Sequence, residues 1–213
     1  MKKAKLILCS LVFGLLTNLS AQAGVILSAV DVSTNMGTRF AGDINNTIDQ
    51  SGLNTTFVSG VTDFDTYNPS SQSVINTAPN QWWGATDTLG YTDFDLGAVY
   101  NLHRFALWNA NFIFGVKDFR VLIDDNAAFS SALDLGSFTA NFDQATGQVF
   151  DLLDGIGRYV RIEHLSIHSN SSNINEVAFD VSSFSPVTSV PEPSTLAIFG
   201  LAFAGLMFRR KQR

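Results

Sequence analysis

Between Gly24 and Ser182 the apolar residues of this chain recur at every second position, in short runs separated by polar turns. A period of two places alternate side chains on opposite faces of an extended strand. In Lys117 to Asp124, Phe119, Val121 and Ile123 share one face, and Asp118, Arg120 and Leu122 the other. In Arg158 to Leu165, Val160 and Ile162 point one way and Tyr159, Arg161 and Glu163 the other; in Ile174 to Val181, Val177, Phe179 and Val181 share the inward parity. Further strands are predicted over Val25–Val32, Gln81–Ala85, Tyr91–Leu96, Leu102–Asn109, Leu133–Phe138 and Gln148–Leu152. Asn141 to Gly147 reads as a turn, and Val58–Ser73 and Ser166–Asn173 as polar loops. Only the two ends escape the pattern. Many short strands at this spacing predict an all-β fold, an antiparallel jelly-roll β-sandwich of about 160 residues, enough for one domain around one core.

The ends have a different character. Lys2, Lys3 and Lys5, the apolar run Leu6–Leu16 and the small-x-small triplet Ala21-Gln22-Ala23 have the order of a secretory signal peptide over 1–23. Cleavage there starts the mature chain near Gly24. The single cysteine, Cys9, lies inside that segment, so the exported chain has no disulfide to stabilise it. The β-sandwich domain is placed at 24–185 and a Ser/Pro/Thr linker at 186–190. A tail follows over 191–213, with Pro191-Glu192-Pro193, an apolar helix over 195–208 and a basic end of Arg209, Arg210, Lys211 and Arg213. The apolar run is short for a spanning helix, which needs about 17–25 residues, and suits a thin bilayer with its basic end cytoplasmic.

Charge separates along the same boundaries. Of 13 basic and 19 acidic residues, the signal peptide holds three basic ones and the tail four, with Glu192 the tail's one acid. The body is left with six basic against eighteen acidic side chains. Such a surface repels nucleic acid and anionic membrane faces and favours neutral ligands or cations.

The order of PEP triplet, hydrophobic helix and terminal basic cluster resembles the PEP-CTERM sorting signal of exported Gram-negative proteins. The resemblance implies that an exosortase-type membrane enzyme recognises Pro191, Glu192 and Pro193 and processes the chain near them, with the inner membrane as a transient station. In the body, the succession Asp95-Leu96-Gly97, Gly157-Arg158-Tyr159-Val160-Arg161-Ile162 and Ile174-Asn175-Glu176-Val177 resembles the discoidin family, or factor five/eight type C domains, with their galactose-binding-like jelly roll. The match spans roughly Ile26 to Val181. It departs from the family in having Thr47-Ile48-Asp49-Gln50-Ser51-Gly52 where an Asp-Gly loop is usual.

Catalysis has little support in the residues. The body lacks a cysteine nucleophile, and His103, His164 and His168 lack the spacing and companions of a zinc site. Arg158 and Arg161 read as partners for neighbouring carboxylates. A non-enzymatic role is therefore expected. A structural calcium is a better prospect, because calcium takes about 6–8 oxygen ligands and Asp49, Ser51, Asn54 and Thr55 crowd into one loop. The alternative is an ordinary polar loop. The resemblance adds Glu176 as the glutamate that completes such a site from near the C-terminus.

For a ligand, Trp82, Trp83, Phe112 and Phe114 are the aromatics of interest. Sugars stack on aromatic faces beside a few polar groups, and in discoidin domains ligands bind at loops on one end of the sandwich. Phe112 and Phe114 are taken as stacking faces, with Asn109 and Asn111 as hydrogen-bond partners. If that segment is strand, the shared parity of the two phenylalanines puts both in the core. One tryptophan is expected in the core, and Trp83 is assigned to it. The expected function is an exported carbohydrate-binding or adhesive module, for a neutral polysaccharide, of the cell surface or extracellular matrix. The alternative is a structural or protein-interaction component of the exopolysaccharide matrix without a sugar site.

Overall fold

The computed structural model describes residues 24–40, 42–75, 78–109, 114–142 and 145–184. The predicted signal peptide, Pro191, Glu192, Pro193, the expected helix over 195–208, Asn111 and Phe112 lie outside these residues. All the described elements belong to the compact unit that ends at Ser183. In chain order they are β1 (Val25–Leu27), β2 (Asp31–Thr34), α1 (Phe64–Tyr67), β3 (Trp82–Trp83), β4 (Tyr91–Asn109), β5 (Asp118–Asp124), β6 (Leu133–Thr139), β7 (Gln148–His164) and β8 (Asn173–Ser183), with short 3-10 turns at Ile44–Thr47, Pro69–Ser71 and Ala78–Asn80. Among the described residues no helix is long and apolar enough to cross a membrane.

Every strand pair is antiparallel. The order is β1-β8-β4-β7-β5-β6, with β2 added to β4 and β3 to β8. Two layers arise because β4 and β7 belong to both. Residues 91–95 of β4 lie between β2 and β7, while residues 100–109 lie between β8 and β7. The passage between layers falls at register shifts after Asp95 and after Leu102, as expected where strands change sheet through bulges. Gly97, at φ 82°, makes the first of them. Sequence periodicity alone divides this strand at Gly97, but the backbone bends there and continues. Gln148–Leu152 and Arg158–Leu165 likewise join into β7. The predicted strand Val25–Val32 is interrupted instead, since Val25 pairs with Val181 of one layer and Asp31 with Asp95 of the other.

The inward parities hold. Phe119, Val121, Ile123, Val160, Ile162, Val177, Phe179 and Val181 are all buried between the layers. Phe105 stacks on Phe150 at 5.1 Å, and Phe119 meets both edge-on. A second apolar cluster lies on the outer face of one layer. There Ile26, Ala106, Trp108 and Ala178 are covered by Leu53, Phe57, Phe64 and Tyr67. The stretch Val58–Ser73 is thus a packed cover rather than a polar loop. Asp63 caps α1 through Thr66 N (2.7 Å), and Trp108 Nε1 donates to Gln72 O (3.0 Å). Across β4 and β7, Arg158 grips Asp95 and Arg161 grips Asp93, each through two bonds of 2.7–2.8 Å.

Candidate functional site

At one end of the sandwich a small aromatic surface is built on β3. Consecutive residues of a strand face opposite ways, so the pair Trp82-Trp83 must divide. Trp82 goes inward: it is fully buried, donates to Thr38 Oγ1 (3.0 Å) and stands edge-on to His164. Trp83 is the half-buried one. This reverses the assignment of Trp83 to the core, because a two-residue strand carries no alternation from which its inner face could be read. The segment before it is tied alongside by the Thr38–Gly84 bridge and by Arg39 N to Trp83 O (2.9 Å).

That tie presents Phe40. Its ring is 76% exposed and its backbone is left-handed, with φ 55°. A non-glycine residue in that conformation costs about 1–2 kcal/mol, and such strain concentrates at ligand-contacting positions. Phe40 meets Trp83 edge-to-face at 5.5 Å, and Trp83 meets Phe114 at 5.8 Å. The Arg39 guanidinium lies over all three rings, at 4.9, 5.7 and 5.8 Å from their centres. It is held by Thr86 Oγ1 (2.7 Å) and Ser171 Oγ (2.9 Å). Arg39 Nε and Trp83 Nε1 are left without partners among the described residues. Both atoms are buried, so what this surface offers a sugar is the exposed ring face of Phe40.

Phe114 therefore joins this surface, half-buried beside Trp83. Asn109 does not reach it as a free amide. It is buried, donates from Nδ2 to Val116 O (2.8 Å) and accepts Val116 N at Oδ1 (3.2 Å), which closes the base of the loop. Arg39 and Phe40 escaped the sequence reading. Their one signal was an arginine beside an aromatic in a body with six basic residues.

A second polar site lies under the cover of the outer face. Glu176 projects there opposite Trp108 and is fully buried. Its Oε2 accepts Gln50 N (2.7 Å), while Oε1 has no partner among the described residues. Burial pushes this carboxyl well above its usual range, partly opposed by the Gln50 N–H and reinforced by the charge of Asp49. Burial, with Glu176 nearby, also raises Tyr67 to about 12. Asp49 is exposed and accepts Ser51 N (2.8 Å), Ser51 Oγ is buried without a partner, and Thr55 O accepts Tyr67 Oη (2.6 Å). The structure thus brings the 49–55 loop against Glu176. Its donor set is all oxygen, as calcium prefers. Among the described residues no three acidic, histidine or cysteine side chains converge, so a cation here would draw on hydroxyl and backbone oxygens as well.

The histidines are engaged structurally. His164 lies between Thr92 Oγ1 and Ser172 Oγ (3.1 and 2.9 Å), and burial lowers it to about 3. His103 contacts Asp154, and His168 contacts Ala140 O.

Residues 189–211 match the PEP-CTERM protein-sorting motif, which marks the chain as an exported protein sorted by an exosortase. No curated protein sequence matches the chain. Among solved structures, the CBM32 of AlyQ in complex with 4,5-unsaturated mannuronic acid is 18% identical, with a TM-score of 0.51 over 73% of this chain and 97% of that one. The family 32 module of Clostridium perfringens NanJ in complex with galactose is 10% identical, with a TM-score of 0.51 over 73% and 98%. The CBM32-1 and CBM32-2 domains of Clostridium perfringens ZmpB in complex with GalNAc are 12% identical, with a TM-score of 0.53 over 72% of this chain and 33% of that one. The described domain thus has the discoidin-like, galactose-binding-like β-sandwich fold of the CBM32 modules, on a chain that carries a PEP-CTERM sorting motif.

Proposed function

We propose that the domain is a carbohydrate-binding module displayed on the cell surface or in the extracellular matrix of a Gram-negative bacterium. The observation that carries this reading is the strained, exposed Phe40 beside Trp83, Phe114 and the Arg39 guanidinium. A pyranose covers the exposed ring face of Phe40 there. The acidic body disfavours polyanions, so the ligand is a neutral or amino sugar. A shallow site engages few groups and binds in about the micromolar to millimolar range, and repeated copies along one polymer compensate. Similar folds have been solved with galactose, with GalNAc and with 4,5-unsaturated mannuronic acid, which supports a sugar ligand.

The same reading assigns Asp49, Ser51, Thr55 and Glu176 to a structural calcium. The ion would neutralise the buried Glu176 carboxylate and tie the cover to β8. The test of function is a glycan array probed with the purified exported chain in calcium. Retention on neutral or amino-sugar glycans is expected. Retention on none of them, with the chain folded, would overturn the sugar reading in favour of a structural or protein-interaction component of the matrix.

A further inference from the structure

The N-terminal corner of the domain holds a buried carboxylate that is half satisfied. Asp180 lies on β8 with its side chain 3% exposed. Its Oδ2 takes Arg104 Nε, but its Oδ1 has no hydrogen-bond partner among the described residues. A buried carboxylate oxygen left bare is costly. Arg104 cannot serve both oxygens, since its Nη1 is drawn to Asp65 (2.8 Å). Asp63 is also near, spent on capping α1. One guanidinium is therefore shared between Asp180 and Asp65, and Asp180 Oδ1 is left bare.

Gly24 lies directly against the bare oxygen. A side-chain carbon built on Gly24 would overlap Asp180 Oδ1 and come 2.7 Å from Cγ and 3.2 Å from Oδ2. A larger residue there would have to push the Asp180 carboxylate aside. The residue is also held in place: Gly24 O accepts Phe64 N (3.1 Å), and Val25 is bridged to Val181 on one side and to Asp63 on the other. The Gly24 nitrogen is one bond of about 1.5 Å from the Cα whose missing side chain leaves room for the carboxylate.

We propose that the Asp180 carboxylate is the receptor for the α-ammonium of Gly24, released when a signal-peptidase-type hydrolase cuts after Ala23. Hydrolysis of the Ala23–Gly24 bond consumes one water and leaves a carboxylate on Ala23 and an ammonium on Gly24. Before the cut, the nitrogen is a neutral amide with one donor fixed by the chain. After it, three rotatable donors and a positive charge stand beside Asp180 Oδ1. The ion pair forms only in the processed chain, so the domain reaches full stability only after export. The precursor, with Asp180 Oδ1 bare, is the looser form. The glycine after the cleavage site then serves two ends, since the same absence of a side chain lets the new terminus approach.

The test uses the full mature chain, Gly24 to Arg213, in detergent, behind a removable leader whose protease site ends directly before glycine. Melting is followed before and after the leader is cut. Pairing of a buried charge predicts a rise of about 5 °C or more on cutting. A chain that keeps one extra glycine ahead of Gly24 should rise by less than about 1 °C, because its ammonium is displaced by a residue. In Asp180→Asn the cut should change nothing. Should that variant fail to fold, the two arms with native Asp180 still decide. No rise in the native chain, or an equal rise with the extra glycine, overturns the proposal. N-terminal sequencing of the exported protein should begin at Gly24, and any other start contradicts it.

Discussion

At the scale of residues, Phe40 and Trp82 make opposite predictions although both are large aromatics. Phe40→Ala removes a ring that supports no core, so melting should move by no more than a few degrees while sugar binding falls at least tenfold. Trp82→Ala empties a fully buried site and should destabilise by about 3–5 kcal/mol, which denaturant titration would register. Glu176 makes a pH prediction. Its carboxyl is raised in the folded state from the ordinary 4.5, so the folded chain holds a proton that the unfolded chain releases. Stability in chelator should then fall as pH rises above about 4.5 towards neutrality. Asp95, held down chiefly by Arg158, works the other way, and its contribution is lost as pH drops below its ordinary 3.8. Calcium should abolish the decline above 4.5, as should Glu176→Gln in chelator. Melting curves against pH, with calcium and with chelator, check this, and coincident curves after verified metal removal would refute the ion. The sequence pointed to Glu176 through its resemblance to a family glutamate, and the structure buries it against Gln50 N. Phe40 was not, since its left-handed backbone comes from a bridge between Thr38 and Gly84, far apart in the chain. Asn109 looked like a loop amide, and only the fold shows its two bonds to Val116.

At the scale of elements, the strands were readable because one face of each is buried, which stamps a period of two on the sequence. Their lengths were not. Gly97, Gly155 and Gly157 mimic turns but lie inside β4 and β7, where the sheet bends or packs closely; a side chain on Gly157 would come 2.6 Å from Ile123. The part of the cover over Val58–Ser73 was misread because its polar residues outnumber the two that pack on the sheet, Phe64 and Tyr67. Its attachment to the sheet is testable. Tyr67→Phe deletes the bond from Oη to Thr55 O (2.6 Å) and should cost about 1 kcal/mol. Amides of residues 48–57 should then exchange faster than those of β4 and β8. Uniform acceleration across the domain would show instead that the cover and sheet open as one unit.

At the scale of the whole molecule, the chain combines a sorting address with an acidic, rigid β-sandwich. The sorting motif at 189–211 was readable because its meaning lies in the order of three segments, which needs no tertiary information. Replacing Pro191, Glu192 and Pro193 by alanine should leave export intact and block processing, seen as an unprocessed mature mass in the membrane fraction; an unchanged mass and location would contradict the assignment. The central claim concerns the ring surface of Phe40, Trp83 and Phe114. Its most direct measurement is a calorimetric titration, in calcium, of the best glycan from the array into the native chain, Phe40→Ala and Trp83→Ala, with melting run on each. Saturable binding to the native chain is predicted, with at least a tenfold loss in both variants and a melting shift of a few degrees or less for Phe40→Ala. Full affinity in both folded variants would contradict it and place the sugar elsewhere.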